Sequence, residues 1–441
     1  MDSSITLMVM GGTGDLTRRK LLPAIKGIAE KKPDRNINFI AVGRRPYTAD
    51  EYIKFSKLDE LELPENVRIS YFRADFADED SLEGLGRFLE GIEENCIGRL
   101  FYLATSPSFF KSIVYQLSRY CNDEKVFSRI LIEKPFGHNL ESSQELDEAI
   151  AEYFSEDQVY RVDHYLGKET VQNILVLRLS NPFIERTWNS KFIEQIIVSV
   201  EEDIGVGDRL GYYNDAGAIR DMVQNHLMQM AAFILMDSPK STDAKDMHEA
   251  KAAAIEQLEF RSEIITGQYE GYKEELKAAK KEHSDTETFV ELKLYSKSLR
   301  WKDTEIILRT GKNLKDKHAK IELIYRKDPC DIYCDINTYP NKLVLNIQPI
   351  EDIEFMMNTK IPDTMEIKHV KLNFSAQKEF TSNRPEGYEI LLEECIAGNK
   401  TLFISNKEIE AAWKIIDKIR LYLEDIKPII YKKGSRGDST Y

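Results

Sequence analysis

Ile5-Thr6-Leu7-Met8-Val9-Met10-Gly11-Gly12-Thr13-Gly14-Asp15-Leu16 opens the chain with a short apolar run, a glycine-rich turn and the first residues of an amphipathic stretch. The run predicts a buried strand, and the helical spacing of Leu16–Glu30 predicts a helix after it. The pattern then repeats. Ile37–Val42, Val67–Phe72, Arg99–Leu103, Arg129–Glu133 and Val159–Arg161 read as further strands, with helical patterns at Glu51–Leu61, Ser81–Glu94, Phe109–Tyr120 and Ser142–Phe154 between them. Short strands separated by helices imply right-handed crossovers and a parallel sheet covered on both faces. We place this α/β doubly wound, Rossmann-like domain at residues 1–165.

Beyond it the texture changes. Long helical patterns cover Ala218–Asp237, Asp243–Glu259 and Lys407–Glu424. Alternating runs at Phe192–Glu201, Thr288–Tyr295, Glu305–Arg309, Ile321–Arg326, Lys342–Gln348 and Lys368–Phe374 follow without regular intervening helices. Strands that succeed one another closely predict a larger α+β domain with a mainly antiparallel sheet over residues 166–441. The tail Lys432–Tyr441, rich in Gly, Ser and charge, reads as poorly ordered. Length supports two domains, because 441 residues exceed one hydrophobic core. A hydrophobic share of 42% excludes disorder, and a net charge of −14 argues against a protein that coats nucleic acid. No apolar run is long enough to span a membrane, and the N-terminus shows no secretory signal pattern. Five scattered cysteines suit a reducing compartment, so the expectation is cytoplasmic. Cys330 and Cys334 lack further nearby ligands, so no metal site is expected.

Gly11, Gly12, Thr13, Gly14, Asp15 and Leu16 stand where backbone N–H groups and a helix N-terminus can take a pyrophosphate. The spacing departs from G-x-G-x-x-G, so the turn alone also fits an ordinary strand–helix connection. At the end of the second strand, where an NAD site would offer an acid to the ribose, stand Arg44 and Arg45. A guanidinium there suits a 2′-phosphate and favours NADP, although two surface arginines would read the same way. Lys134, just beyond the fifth strand, points toward the ligand edge of such a sheet or is plain surface. Arg161–Glu169 packs Asp163, His164, Tyr165 and Lys168 into six positions, a density of donors that suits an anion. His226 lies on the apolar stripe of Ala218–Asp237 and is either a core histidine or faces a cleft. Asp221 is about 140° away from it on an ideal α-helix, so any carboxylate partner for His226 comes from elsewhere.

Gly11–Leu16 followed by Arg19-Lys20-Leu21-Leu22-Pro23, and above all Arg161–Glu169, resemble signatures of the glucose-6-phosphate dehydrogenase family. Glu133–Gly137, Asp221–Gln229, Arg309–Lys312, Leu343–Pro349 and Ala411-Ala412-Trp413 are similar to further landmarks in the family's order. The resemblance covers most of the chain. It implies NADP-dependent oxidation of glucose 6-phosphate to 6-phosphogluconolactone, the first step of the oxidative pentose phosphate pathway, with His226 as general base and Asp163 as the acid that orients it. It further implies His164, Tyr165 and Lys168 as phosphate ligands, Glu202 and Asp221 as hydrogen-bond partners of the sugar, and Lys134 between substrate and cofactor. Lys312 and, among Lys315, Lys317 and His318, Lys317 are implied as substrate cations. The glycine turn and Arg44 are implied as NADP contacts, and the protein as a homodimer or homotetramer. Two rivals stand beside this reading: an oxidoreductase of an unphosphorylated or different sugar, and a catalytically silent NADP-sensing protein.

Overall fold

The structure, a computed structural model, describes residues 3–78, 80–121, 125–282, 284–327, 338–380 and 387–437. Cys330 and Cys334, and the tail from 438 onward, lie outside them. The described chain forms two compact units, Met1–Gly167 with Arg384–Asn406, and Lys168–Asn383 with Lys407–Tyr441. The sequence reading puts everything from 166 onward in the second domain. Residues 384–406 instead join the first unit, because the helix Gly387–Ala397 packs on Leu22–Lys31.

Among the described residues of the first unit, six strands form one parallel sheet: β1 Ser3–Met10, β2 Arg35–Gly43, β3 Val67–Arg73, β4 Cys96–Leu103, β5 Phe127–Ile132 and β6 Val159–Arg161. Their order is β3-β2-β1-β4-β5-β6, every pairing parallel. Such an order has its switch between β1 and β4, and the carboxyl ends there border the ligand crevice of doubly wound folds. The expected α/β architecture is confirmed. β1 is buried almost end to end, as a central strand covered on both faces must be. The returning helix completes the core with Leu391, Leu392 and Cys395, and Phe403 follows it there. Lys31 ion-pairs with Glu389, Arg35 with Glu393 at 2.7 Å, and Arg129 donates to the carbonyls of Cys395 and Ile396. The helix expected over Ser81–Glu94 is confined to Leu85–Glu90.

The second unit holds a nine-stranded sheet among its described residues. Its strands are β7 Ile193–Glu201, β8 Leu258–Tyr269, β9 Phe289–Ser296, β10 Glu305–Gly311, β11 His318–Tyr325, β12 Lys342–Gln348, β13 Asp352–Lys360, β14 Ile367–Ser375 and β15 Ile429–Tyr431. The order is β14-β13-β12-β11-β7-β10-β9-β8-β15, antiparallel except at β7–β10 and β8–β15. β9, β10 and β11 alternate buried with half-buried residues, the mark of a sheet with one well-covered face. The described part of the tail, residues 432–437, is less loose than its composition suggests. Gly434 N–H donates to Asn313 O at 2.8 Å, and Ser435 O accepts Lys315 N–H at 2.9 Å.

Against β7 and β10 lies the long helical segment that the sequence predicts at 218–237. It is π-helical over Ile219–Leu227 and α-helical over Met228–Leu235, buried throughout except for Arg220. A π turn bonds i to i+5, so the 140° separation of Asp221 and His226 expected from an α-helix does not apply; residues five apart lie one turn above each other. Buried helix ends need partners for their last carbonyls. Here Arg178 donates to Phe233 O at 2.7 Å and Met236 O at 2.9 Å, Trp188 Nε1 to Ile234 O at 2.8 Å, and Trp301 Nε1 to Leu235 O at 2.7 Å. Behind the helix, Lys251 pairs with Glu408 at 2.8 Å, both side chains fully buried.

Candidate functional site

In the first unit the candidate residues gather along the carboxyl edge of the sheet. The turn after β1 is held tightly to β2: Gly11 and Gly12 N–H both donate to Val42 O at 3.0 Å, and Tyr52 donates to Gly12 O at 2.8 Å. Gly11 has φ +96°, and a Cβ on it would stand 2.4 Å from Ala104 O, where β4 ends. The glycines bring the backbone close between β1, β2 and β4. Thr13, Gly14, Asp15 and Leu16 lead from this turn into a helix, with Asp15 pairing to Arg19 at 2.8 Å and Arg18 at 3.1 Å. Arg44 follows the end of β2, exposed to solvent. Arg45 beside it lies 4.8 Å over the Phe55 ring.

Lys134 follows β5, and Asp163, His164 and Tyr165 follow β6, its neighbour in the sheet. Asp163 is buried, and its Oδ1 accepts the N–H of Tyr165 at 2.9 Å, which ties the side chain to its own loop. The His164 ring lies 4.6 Å from that of Tyr165 and stacks at 6.2 Å on Tyr388. Tyr388, with Tyr102, also donates to Glu133, at 3.2 and 2.5 Å. Burial pushes the Glu133 carboxyl above its ordinary range, while these phenols and Lys134 pull it back. Sequence reasoning missed Tyr388. It lies 224 residues beyond His164, a distance no local pattern spans, and arrives on the helix that returns to this unit.

In the second unit Lys168 stands at the N-terminus of the helix Glu169–Leu179. Glu202 and Lys312 come together because they follow parallel neighbours, β7 and β10, whose last residues Glu201 and Gly311 are paired. Their side chains form an ion pair, Lys312 nearly buried, and Glu202 N–H donates to Gly311 O at 3.0 Å. Asp221 is fully buried and accepts from Arg209 at 3.1 Å. Arg209 is a second residue that the sequence did not single out. It belongs to a single turn, Gly207–Arg209, with no motif to mark it. Although partial desolvation works against the charge of the largely exposed Arg209 guanidinium, Asp221 and Glu202 outweigh it and strengthen the charged form. His226 is 1% exposed, and its main-chain N–H donates to Asn225 Oδ1 at 2.6 Å. Lys315 and Lys317 are exposed in the turn before β11, whereas His318 starts that strand and meets Ser199 Oγ at 3.1 Å. Burial lowers the pKa of His318, which disfavours a cation there.

A doubly wound sheet with a glycine turn at its switch point, in a chain that also carries a mixed sheet with a buried histidine and an acid–lysine pair, is the architecture expected of a nicotinamide-dinucleotide oxidoreductase. Residues 8–173 match the glucose-6-phosphate dehydrogenase NAD binding domain, and residues 175–441 match the C-terminal domain of the same enzyme. The chain belongs to the glucose-6-phosphate dehydrogenase family. It is 36% identical to the glucose-6-phosphate 1-dehydrogenase of Chlamydia muridarum, over 97% of this chain and 92% of that one. With the enzyme of Borreliella burgdorferi it shares 34% identity over 99% and 95%. A glucose-6-phosphate dehydrogenase solved in complex with its substrate glucose-6-phosphate superposes with a TM-score of 0.90 at 29% identity, covering 100% of this chain and 96% of that one. The fold alone is shared with Gal80p of Saccharomyces cerevisiae, at 10% identity over 96% of each chain and a TM-score of 0.55.

Proposed function

We propose that the chain oxidises glucose 6-phosphate at C1 to 6-phosphoglucono-1,5-lactone with NADP, the entry to the oxidative pentose phosphate route. The observation that carries this reading is His226: an imidazole buried on the helix above β7 and β10, in a chain that matches the family across both domains. The first unit fits a dinucleotide, since Gly11 and Gly12 leave room where a Cβ would collide and Arg44 offers an exposed guanidinium. NADP, when bound, supplies the hydride acceptor. The chain supplies positioning, a base and electrostatics.

In this reading neutral His226 takes the proton of the C1 hydroxyl, because imidazole titrates near working pH. Asp163 orients it and stabilises the imidazolium that forms, as the acid does in triad chemistry. His164, Tyr165 and Lys168 hold the 6-phosphate through charge-assisted hydrogen bonds. Glu202 and Asp221 hydrogen-bond sugar hydroxyls, Lys134, Lys312 and Lys317 add positive charge, and residues Gly11–Leu16 with Arg44 hold the cofactor. The first unit is thereby the NADP-binding part and the second the substrate-binding and oligomerising part of a cytoplasmic homodimer or homotetramer. Cys96, Cys121 and Cys395 are free thiols, which supports a reducing compartment. No helix among the described residues is long and apolar enough to cross a membrane.

The test is absorbance of the reduced cofactor with glucose 6-phosphate or glucose, and with NADP or NAD. Wild-type protein should strongly prefer the phosphorylated sugar and NADP. His226→Asn should lower kcat by on the order of 10²–10⁴ while substrate binding persists. Near-normal turnover in that variant would remove the histidine from the chemistry. Tight NADP binding without turnover of any sugar would make the chain a sensor.

A further inference from the structure

The helix that carries Asp221 and His226 begins at a break. Gly217 takes φ 67° and ψ 175°, outside helical space, and the chain re-enters a helix at Ala218 and Ile219. The N–H groups of these two residues end on one partner: Ala218 donates to the main-chain oxygen of Glu287 and Ile219 to its Oε1, both at 3.0 Å. A Cβ on Gly217 would stand 2.3 Å from that carboxylate, so glycine is what admits it. The next residue along holds the facing wall. Thr288 O accepts the N–H of Lys312 at 2.9 Å, and Lys312 pairs with Glu202. Thr288 is itself fixed, its hydroxyl accepting Tyr269 N–H at 3.0 Å and meeting Tyr431 OH at 2.9 Å. Two adjacent residues therefore tie the first turn of the helix to the lysine–glutamate pair.

We infer that Glu287 is a positioning residue that fixes the Asp221–His226 helix against the Lys312–Glu202 pair. The inference rests on the proposed reaction and deepens it. Early N–H groups of a helix lack partners within the helix, so an acceptor locked into the strand-side framework sets where the helix starts. Burial raises the Glu287 carboxyl, while the Ile219 N–H and the guanidinium groups of Arg220 and Arg420 favour its charged form. A displacement of about 1 Å in a positioned group costs on the order of 10²-fold in rate.

Glu287→Ala and Glu287→Asp both withdraw the acceptor from Ile219, the second without opening a large void. Glu287→Gln keeps an acceptor oxygen and the volume. Expected for the first two is a fall in kcat/KM for glucose 6-phosphate of about 10- to 100-fold. KM for NADP should stay within about twofold, and amide hydrogens of residues 218–227 should exchange faster. Glu287→Gln should restore most of the activity. Wild-type kcat/KM in the alanine and aspartate variants, or a loss in the glutamine variant as deep as theirs, overturns the inference. A wild-type protein that turns over no glucose 6-phosphate sinks the proposed reaction instead. Amide exchange over 218–227 then decides the positioning role alone: faster in Glu287→Ala upholds it, and unchanged overturns it.

Discussion

Adding one methyl group at Gly12 should damage the dinucleotide turn in a measurable and graded way. The new Cβ would stand 2.6 Å from Ala41 Cβ and 2.7 Å from Ala41 Cα, about 0.8 Å inside the 3.4 Å where ordinary contact begins. β2 cannot easily yield, because Ala41 is paired to Val9 of β1 on one side and Tyr71 of β3 on the other. The displacement therefore falls on the turn, whose Gly11 and Gly12 N–H groups both depend on Val42 O. Overpacking of this kind costs about 1–3 kcal/mol, equivalent to a melting temperature about 3–9 °C lower in a unit of this size. If the distortion falls on the bound form, the same energy weakens NADP about 5- to 150-fold. Gly14 is the control. Its added Cβ meets only Gly11 O, at 3.1 Å, so Gly14→Ala should melt within about 1 °C of wild type and lose affinity only where the cofactor sits. Thermal melts of the free protein and titration with NADP separate the two effects. A Gly12→Ala protein that melts like wild type, or a Gly14→Ala protein that binds NADP like wild type, refutes the cradle.

Three further outcomes follow from the described contacts. Arg44→Ala should lower kcat/KM for NADP about 10- to 100-fold and leave NAD nearly unaffected, and an unchanged ratio would remove Arg44 from cofactor choice. Lys251→Met leaves Glu408 buried without its cation, at about 3–5 kcal/mol, whereas Lys251→Met with Glu408→Leu should recover most of that loss in urea unfolding; equal instability of single and double variants would contradict this. For Glu133 the sign is set by burial, which raises the folded carboxyl above its ordinary 4.5. The folded state then binds the proton more tightly, so stability present below about pH 4.5 is lost as pH rises through the folded value. Glu133→Gln should therefore lose less melting temperature than wild type between pH 4.5 and pH 8, and parallel curves would show that Glu133 does not titrate in that window.

What the sequence exposed and what it hid have separate physical causes. β1, β2, β4 and β5 are nearly continuous apolar runs, so each is readable by itself, and the glycine turn marks where the first helix starts. β8 escaped because Ser262, at φ 62°, sits in a bulge that shifts the register between Phe260 and Ile264 and breaks the alternation. β13 escaped because eight of its nine residues are half-buried, leaving no period of two to detect. The helical stripe around His226 was plain, yet its π geometry was not, since apolar spacing in so buried a segment tolerates either winding. The Glu202–Lys312 pair depends on two strands 110 residues apart lying parallel and in register, which no local pattern encodes.

The homeward path of Arg384–Asn406 bears on how the protein is made. About 240 residues separate Gly167 from Asn406, so a ribosome adding 5–20 residues per second releases the last wall of the dinucleotide unit roughly 12–50 s after its sixth strand. During that interval the nascent sheet exists without Leu391, Leu392 and Phe403 in its core, and the part of Leu22–Lys31 that meets Gly387–Ala397 is uncovered. A gene truncated after codon 167 would give an open fragment prone to clumping, not a free-standing nucleotide binder. Synthesis of the far half of the chain is thus a condition for finishing the near half.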